Sequence, residues 1–458
     1  MKRKARWFPA AAIALALTPA AAEMPLVREA DARSATPQMF GAVGDGLAVE
    51  TDAVTAWLNS GRPLSCTGVF RIDQPVRVSL PVGRGLFLQG HGRHLCRIVL
   101  TGQGRIQIEG SLPPGADLTA NALHGASQIV IRDLGIEPAY AMAEPAGERP
   151  QTGAALSIGF PGKSAGNPGG WTDPMLVIDN VSILPADTKE PTYAHYGLYL
   201  SNVSNAEVAN VTCEGRRGPI VPGSACIVYE GDGAPVDTRI RNVHAYFVET
   251  GIRLSGTWQG VHILTPTIVA TRFGITASAT DNESTLLEVS GGEINVSDAA
   301  IMVQNTTRTF IHDVHLNLFG VSTRPDPACV KLAMTSRANA QFTIHDTICE
   351  AYQGQALSGI KYGVHLSTAL PLGSQRTSGI IHGNLFSNAG KRDPRFTPIH
   401  LGQGTSDIVV GCNEYRGATG EPGTGNVENL NSGENPRFLN YMACATEPLP
   451  PGLSAGRR

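Results

Sequence analysis

Between residues 131 and 413, apolar and polar positions alternate in short bursts, and one pattern keeps returning: an aliphatic residue, a variable one, Asp or Asn, then usually another aliphatic. It reads Ile131-Arg132-Asp133-Leu134, Ile178-Asp179-Asn180-Val181, Val208-Ala209-Asn210-Val211, Ile240-Arg241-Asn242-Val243, Ile311-His312-Asp313-Val314 and Ile344-His345-Asp346-Thr347. Ile381-His382-Gly383-Asn384 and Val410-Gly411-Cys412-Asn413 are worn copies. The Asp or Asn positions of the clean copies are separated by 47, 30, 32, 71 and 33 residues, and 71 reads as two short steps run together. Self-similarity at such a period is the mark of a solenoid.

The residues around each copy decide which solenoid. After Asn210, Val211 and Cys213 share one face while Thr212 and Glu214 share the other, which is the two-residue period of a strand. Helical repeats need apolar positions three and four apart over a dozen residues, whereas here β-branched runs are cut by Gly, Asn, Asp and Pro. The pattern predicts an all-β parallel β-helix in which equivalent residues of successive coils stack about 4.8 Å apart. The Asp/Asn column then reads as a ladder of turns, because these side chains bond neighbouring backbone and tolerate left-handed conformations.

Length and composition add bounds. A solenoid makes one unit of all 458 residues, since each coil extends the same core. The 52 glycines and 31 prolines suit many turns. With 16% charged residues and a net charge of −3, nothing suggests electrostatic capture of nucleic acid. No metal-ligand spacing is visible, and no cofactor is expected. Residues 1–22 read as a signal peptide: a basic start from Lys2 to Arg6, an apolar run, and Ala20-Ala21-Ala22 before Glu23. Residues 23–37 form a linker, and the chain is expected to be secreted or periplasmic. No later stretch is long and apolar enough to span a membrane. Export permits disulfides, and sequence neighbours would pair Cys66 with Cys96, Cys213 with Cys226, Cys329 with Cys349 and Cys412 with Cys444. Cys213 and Cys349 fall on the inward parity, where free thiols would equally serve as small core residues.

The most specific stretch precedes the repeats: Phe40-Gly41-Ala42-Val43-Gly44-Asp45-Gly46, then Glu50-Thr51-Asp52 leading into Ala53, Trp57 and Leu58. It resembles the opening motif of the pectate-lyase-like superfamily of right-handed β-helices, which includes rhamnogalacturonase-like and epimerase-like proteins and phage tailspikes. Leu64 to Phe70 and Leu88-Gln89-Gly90-His91-Gly92 continue the resemblance, which spans residues 38–415. It implies a right-handed parallel β-helix with an N-terminal capping helix from Thr51, where Thr51 or Asp52 can serve as N-cap. The Gly-Asp-Gly turn reads as part of that cap and not as a metal or phosphate loop. Gly90-His91-Gly92 is similar to a motif of polygalacturonase-type hydrolases. Their other motifs are missing, so no hydrolase residues carry over.

Strand parity then selects a site. Asn210 projects Thr212 and Glu214 outward, Asn242 projects His244 and Tyr246, and stacking sets Glu214 beside Tyr246 and Thr212 beside His244. Glu230, Asp232 and Glu249 follow nearby, with Arg253 and Trp258 as candidate substrate contacts. Carboxylates, an imidazole, a phenol, a guanidinium and an exposed ring are what a sugar cleft uses. Glutamates flanking one bond would serve hydrolysis. His244, Tyr246 and Arg253 would serve elimination from a uronic acid. Residues 138–173 form a long Gly- and Pro-rich excursion that either walls a groove or stands as a mobile lobe. His312, His345 and His382 form a second outward column that can bind a ligand, sense pH or simply reflect repeat ancestry. Asn-Val-Ser/Thr triplets at Asn180, Asn202, Asn210 and Asn295 match glycosylation acceptors, two of them within the repeat itself. Residues 416–458 form a C-terminal cap, with Phe438, Leu439, Tyr441 and Met442, and a loose tail. The expected function is a secreted carbohydrate-active protein cleaving an acidic polysaccharide by elimination or hydrolysis. The alternatives are a noncatalytic glycan-binding or adhesive β-helix and a tailspike-like homotrimer.

Overall fold

The structure is a computed structural model describing residues 34–81, 84–111, 128–142, 150–160, 176–187, 192–231, 237–279, 285–334, 340–352, 361–368, 377–389, 396–402, 405–416 and 427–429. The expected signal peptide, Asp232, Trp171, Cys444 and the C-terminal cluster lie outside these residues.

Every strand pairing among the described residues is parallel, and each strand away from the two ends pairs with the strand one coil before and one coil after it. The chain therefore winds as a right-handed parallel β-helix, the hand that parallel crossovers adopt almost without exception. Three sheets run along the axis. The first carries the residues before each Asp/Asn turn, such as Ala206–Ala209 and Thr238–Arg241. The second carries those after it, such as Thr212–Glu214 and His244–Tyr246. The third carries strands such as Tyr196–Ser201, Ala225–Gly231 and Thr250–Gly256. Some strands bend through a corner and serve two sheets, as Thr267–Ala279 and Glu293–Gln304 do for the second and third.

The inward column of the first sheet explains the repeat. Ile178, Val208, Ile240, Ile263, Val289, Ile311, Ile344 and Ile381 stack one per coil, all buried. The third sheet has its own ladder: Leu198, Ile227, Ile252, Ile275, Ile301, Val330, Val364 and Ile399. Each of these follows a small residue at a crowded corner. A Cβ on Gly274 there would lie 2.3 Å from the Ala300 carbonyl oxygen.

The turn column is built as expected. Asp133, Asn180, Asn210, Asn242, Asp313 and Asp346 all have φ between 52° and 56°, the left-handed region that short amide and carboxylate side chains tolerate. Their side chains link adjacent turns: Asn242 Nδ2 donates to Asn210 Oδ1 at 2.6 Å, and Asn210 Nδ2 to Asp179 Oδ1 at 2.7 Å. The 71-residue interval holds three steps instead of two. Thr265 and Gly291 occupy the left-handed position there, with φ 49° and 64°, so the Asn signature vanishes while the turn persists.

The N-terminal helix runs Thr51–Leu58, with Val54, Trp57 and Leu58 buried. Trp57 Nε1 donates to the Ala35 carbonyl at 2.7 Å. Capping differs from expectation, for Glu50 is the N-cap and makes no side-chain cap. Its carboxylate instead accepts from the amides of Val43 and Gly44, pinning the Gly-Asp-Gly turn. Thr51 exchanges hydrogen bonds with Asp73. The thiols are oxidised as neighbours: Cys66–Cys96, Cys213–Cys226 and Cys329–Cys349 are disulfides crossing the interior. Cys412 is disulfide-bonded as well.

Candidate functional site in the groove of the third sheet

The expected site residues divide between two sheets. Glu214 and Tyr246 are register partners on the second sheet, as are Thr212 and His244. Glu214 pairs with Arg217, and His244 Nε2 lies 3.1 Å from Asn242 Oδ1. Glu230 and Arg253 lie on the third sheet, because the 215–224 loop carries the chain round a corner before Glu230 is reached.

One expectation is corrected. Trp258 has 0% exposure and is one of the largest buried side chains of the core. It continues the inward parity of Ile252 and Leu254, so it offers no ring to a substrate. Glu249 is held in an ion pair, its carboxylate accepting from Arg272 Nη1 at 2.7 Å and from the Gly223 amide at 2.7 Å. Arg272 also donates through Nε to Asp298 at 2.8 Å. Burial opposes charge on Asp298, but bonds from Ser322, Arg272 and Thr323 hold its carboxyl below the usual range.

The third sheet presents a groove. A pocket of about 340 Å³ opens between Glu109, Gln151, Ser157, Phe160, Tyr199 and Ser201. Gln151 and Phe160 come from the 138–173 excursion, whose described part thus walls this groove. Tyr199 is 5% exposed, and its hydroxyl donates a short hydrogen bond to Glu230 Oε2. Burial first, and that bond second, push the Tyr199 phenol far above its ordinary pKa, so it stays protonated. Arg253 lies two coils along the same outward row, where Tyr199, Val228 and Arg253 are successive partners. Its guanidinium sits 5.7 Å from the Tyr196 ring centroid and donates to the Gly223 carbonyl at 2.7 Å. Glu109 shares a row with Gly159, Ser201 and Glu230, three coils from the last, or about 14 Å along the axis.

Farther along, the row of Tyr199 and Arg253 carries Lys331, His365 and His400. Lys331 pairs with Asp326, and His365 packs on Tyr362 at 4.5 Å and His400 at 4.7 Å. The sequence offered a signal for this sheet in the small-residue and aliphatic pairs Gly251-Ile252, Gly274-Ile275 and Gly363-Val364. Counting outward from that second repeat finds Tyr199 and the His365 row. Counting from the Asn turns does not. Among the described residues no group of three or more His, Cys, Asp or Glu side chains could hold a metal, and no helix is long and apolar enough to cross a membrane.

No protein-family model and no curated protein matches the sequence. Solved structures do. The mannuronan C-5 epimerase AlgE4 A-module of Azotobacter vinelandii is 14% identical with a TM-score of 0.49, over 87% of this chain and 100% of that one. The surface adhesin PfbA of Streptococcus pneumoniae is 12% identical with a TM-score of 0.43, over 86% of this chain and 99% of that one. The catalytic domain of a GH87 alpha-1,3-glucanase is 11% identical with a TM-score of 0.44, over 88% of this chain and 68% of that one.

Proposed function

We propose that this pectate-lyase-like β-helix is a secreted enzyme that binds an acidic polysaccharide along the groove of the third sheet and cleaves it by β-elimination. The observation that carries this reading is the hydrogen bond from Tyr199 to Glu230 beside the pocket. A protonated phenol beside a carboxylate supplies both proton transfers that elimination needs. Glu230 takes the proton from the sugar carbon next to the carboxylate group, and the electron pair left behind forms the double bond as the glycosidic bond breaks. Tyr199 delivers its proton to the departing oxygen. The proton on Glu230 then returns to the phenolate through their hydrogen bond, restoring the pair. Arg253, two coils from Tyr199, is the cation nearest to it along their row for the uronate carboxylate.

Hydrolysis by paired carboxylates fits less well. It asks for two carboxyl groups about 5 to 9.5 Å apart, and in this groove Glu109 stands three coils from Glu230. The test is to incubate the protein with a panel of acidic polysaccharides, following reducing ends and the ultraviolet absorbance of an unsaturated product together. Both signals should rise. Reducing ends without absorbance would replace elimination with hydrolysis, and neither signal on any substrate would leave a binding protein.

A further inference from the structure

The second sheet carries a polar cluster that the groove does not use. Glu293, His315 and Ile348 are stacked partners in one outward row, and Asn295, Asn317 and Glu350 in the next. The side chains are cross-linked: Asn295 and Asn317 donate to Glu293 Oε1 at 2.8 and 3.4 Å. Glu350 Oε2 bonds His315 Nε2 at 3.2 Å and the Tyr352 hydroxyl at 2.6 Å. Those two carboxylates, with burial, raise the Tyr352 phenol above its usual pKa, the Glu350 hydrogen bond contributing most.

Three features point outward to a ligand. Tyr352 is 41% exposed, Phe319 37% and Ile348 36%, which gives a rim of apolar surface that a stable monomer has no reason to concentrate beside fixed polar groups. Asn317 is only 4% exposed, yet its Oδ1 has no donor among the described residues, and buried acceptors are normally satisfied. Its amide nitrogen already bonds Asn295 Oδ1 at 2.5 Å, so the orphan oxygen belongs to the floor of the cluster. Finally, the outward positions of these strands hold no lysine or arginine. Arg416, two coils on from Glu350, is paired with Glu414.

We propose that this patch is a second carbohydrate-binding site, specific for an uncharged polysaccharide. Tyr352 and Phe319 would lie against sugar ring faces, and Glu293, Glu350 and the Asn295–Asn317 amides would bond hydroxyl groups. Two carboxylates with no lysine or arginine partner disfavour a uronate chain, so the patch and the groove select different glycans. This inference does not depend on the chemistry assigned to Tyr199 and Glu230.

Affinity electrophoresis tests it, with native gels containing hydroxyethylcellulose, galactomannan, xyloglucan or polygalacturonate. At least one of the three neutral polymers should retard the wild type. Tyr352→Ala and Glu293→Gln should each weaken that retardation roughly three- to tenfold, as loss of a ring or polar contact does, with unchanged melting temperatures. Glu230→Gln should be retarded like the wild type. Retardation by none of the neutral polymers would overturn the proposal, as would wild-type behaviour of both patch variants. Loss of polygalacturonate binding in Tyr352→Ala would overturn the assignment to uncharged chains.

Discussion

The imidazole rings of His312 and His345 stack 5.0 Å apart and 3° from parallel, and His382 continues the column at 5.2 Å and 7°. The Nδ1 atoms of His312 and His345 each lie 2.8 Å from the Asp of their own turn, Asp313 and Asp346. Glu288 closes the column, 3.2 Å from His312 Nε2 and 2.5 Å from His262 Nδ1. Burial opposes charge on His312, but its bonds to Asp313 and Glu288 prevail and lift its pKa above the ordinary 6.5. The bond to His262, aided by His312, draws Glu288 below the ordinary 4.5 despite burial. A raised imidazole contributes fully below its unfolded pKa and loses its contribution as pH climbs through the folded value. A lowered carboxylate contributes above its unfolded pKa and loses its contribution as pH falls through the folded one. The pair is therefore strongest between about pH 4.5 and 6.5. Glu288→Gln should lower the melting temperature most near pH 5.5 and least near pH 8. Equal effects at both would dismiss the pair as a stabilising contact.

Asn210→Val and Asn242→Val should each cost about 1 to 3 kcal/mol by denaturant titration, since a β-branched residue resists the left-handed backbone and the link between turns is lost. Turnover per folded molecule should be unchanged. Loss of turnover with an unaltered unfolding curve would make the column catalytic instead.

Glu230→Gln and Tyr199→Phe, close in shape to the native residues, should each cut turnover about 10²- to 10⁴-fold, the usual size of a lost proton-transfer group. Glu214→Gln on the second sheet should leave turnover near wild type. The reverse pattern in steady-state kinetics would move the chemistry to Glu214, His244 and Tyr246.

Trp258→Ala should act on stability. Removing a fully buried indole from a core costs about 3 to 5 kcal/mol, read as a shift of the unfolding midpoint, and substrate affinity of the folded fraction should not change. Weaker binding at unchanged stability would contradict the buried placement.

The coil and its face assignments were legible because Ile131-Arg132-Asp133 and its copies encode three things together: an inward aliphatic, an outward residue and a left-handed turn. That is why the pairings of Glu214 with Tyr246 and Thr212 with His244 could be read from spacing alone. The third sheet was not legible from the same signal. Its corner asks only for a small residue, so Gly, Ala, Cys and Pro all serve, and no single letter marks the repeat. Sequence order sets Glu230 and Arg253 in the neighbourhood of Glu214, but parity says nothing about corners, and the loop after Glu214 turns one. Trp258 keeps the inward parity of Ile252 and Leu254, which only the third sheet's own repeat reveals. Tyr199 carries no such signal, since a Tyr in an aliphatic run looks like core until the second repeat gives its parity.

The three disulfides that cross the interior bear on how such an array comes apart. A solenoid is held only by neighbouring coils, so fraying begins at an open end and moves inward step by step. Cys66–Cys96 joins adjacent coils near the N-terminal helix, and Cys213–Cys226 and Cys329–Cys349 tie corners farther along. Each is a covalent stop that an unzipping front must halt at while the bond is intact. Under proteolysis in oxidising surroundings, trimming from the C-terminal end should be checked first at the bonded Cys412 and next at the Cys329–Cys349 link, and the chain should persist as a rod still carrying Tyr199, Glu230 and Arg253. With a reductant present, the same digestion should run through.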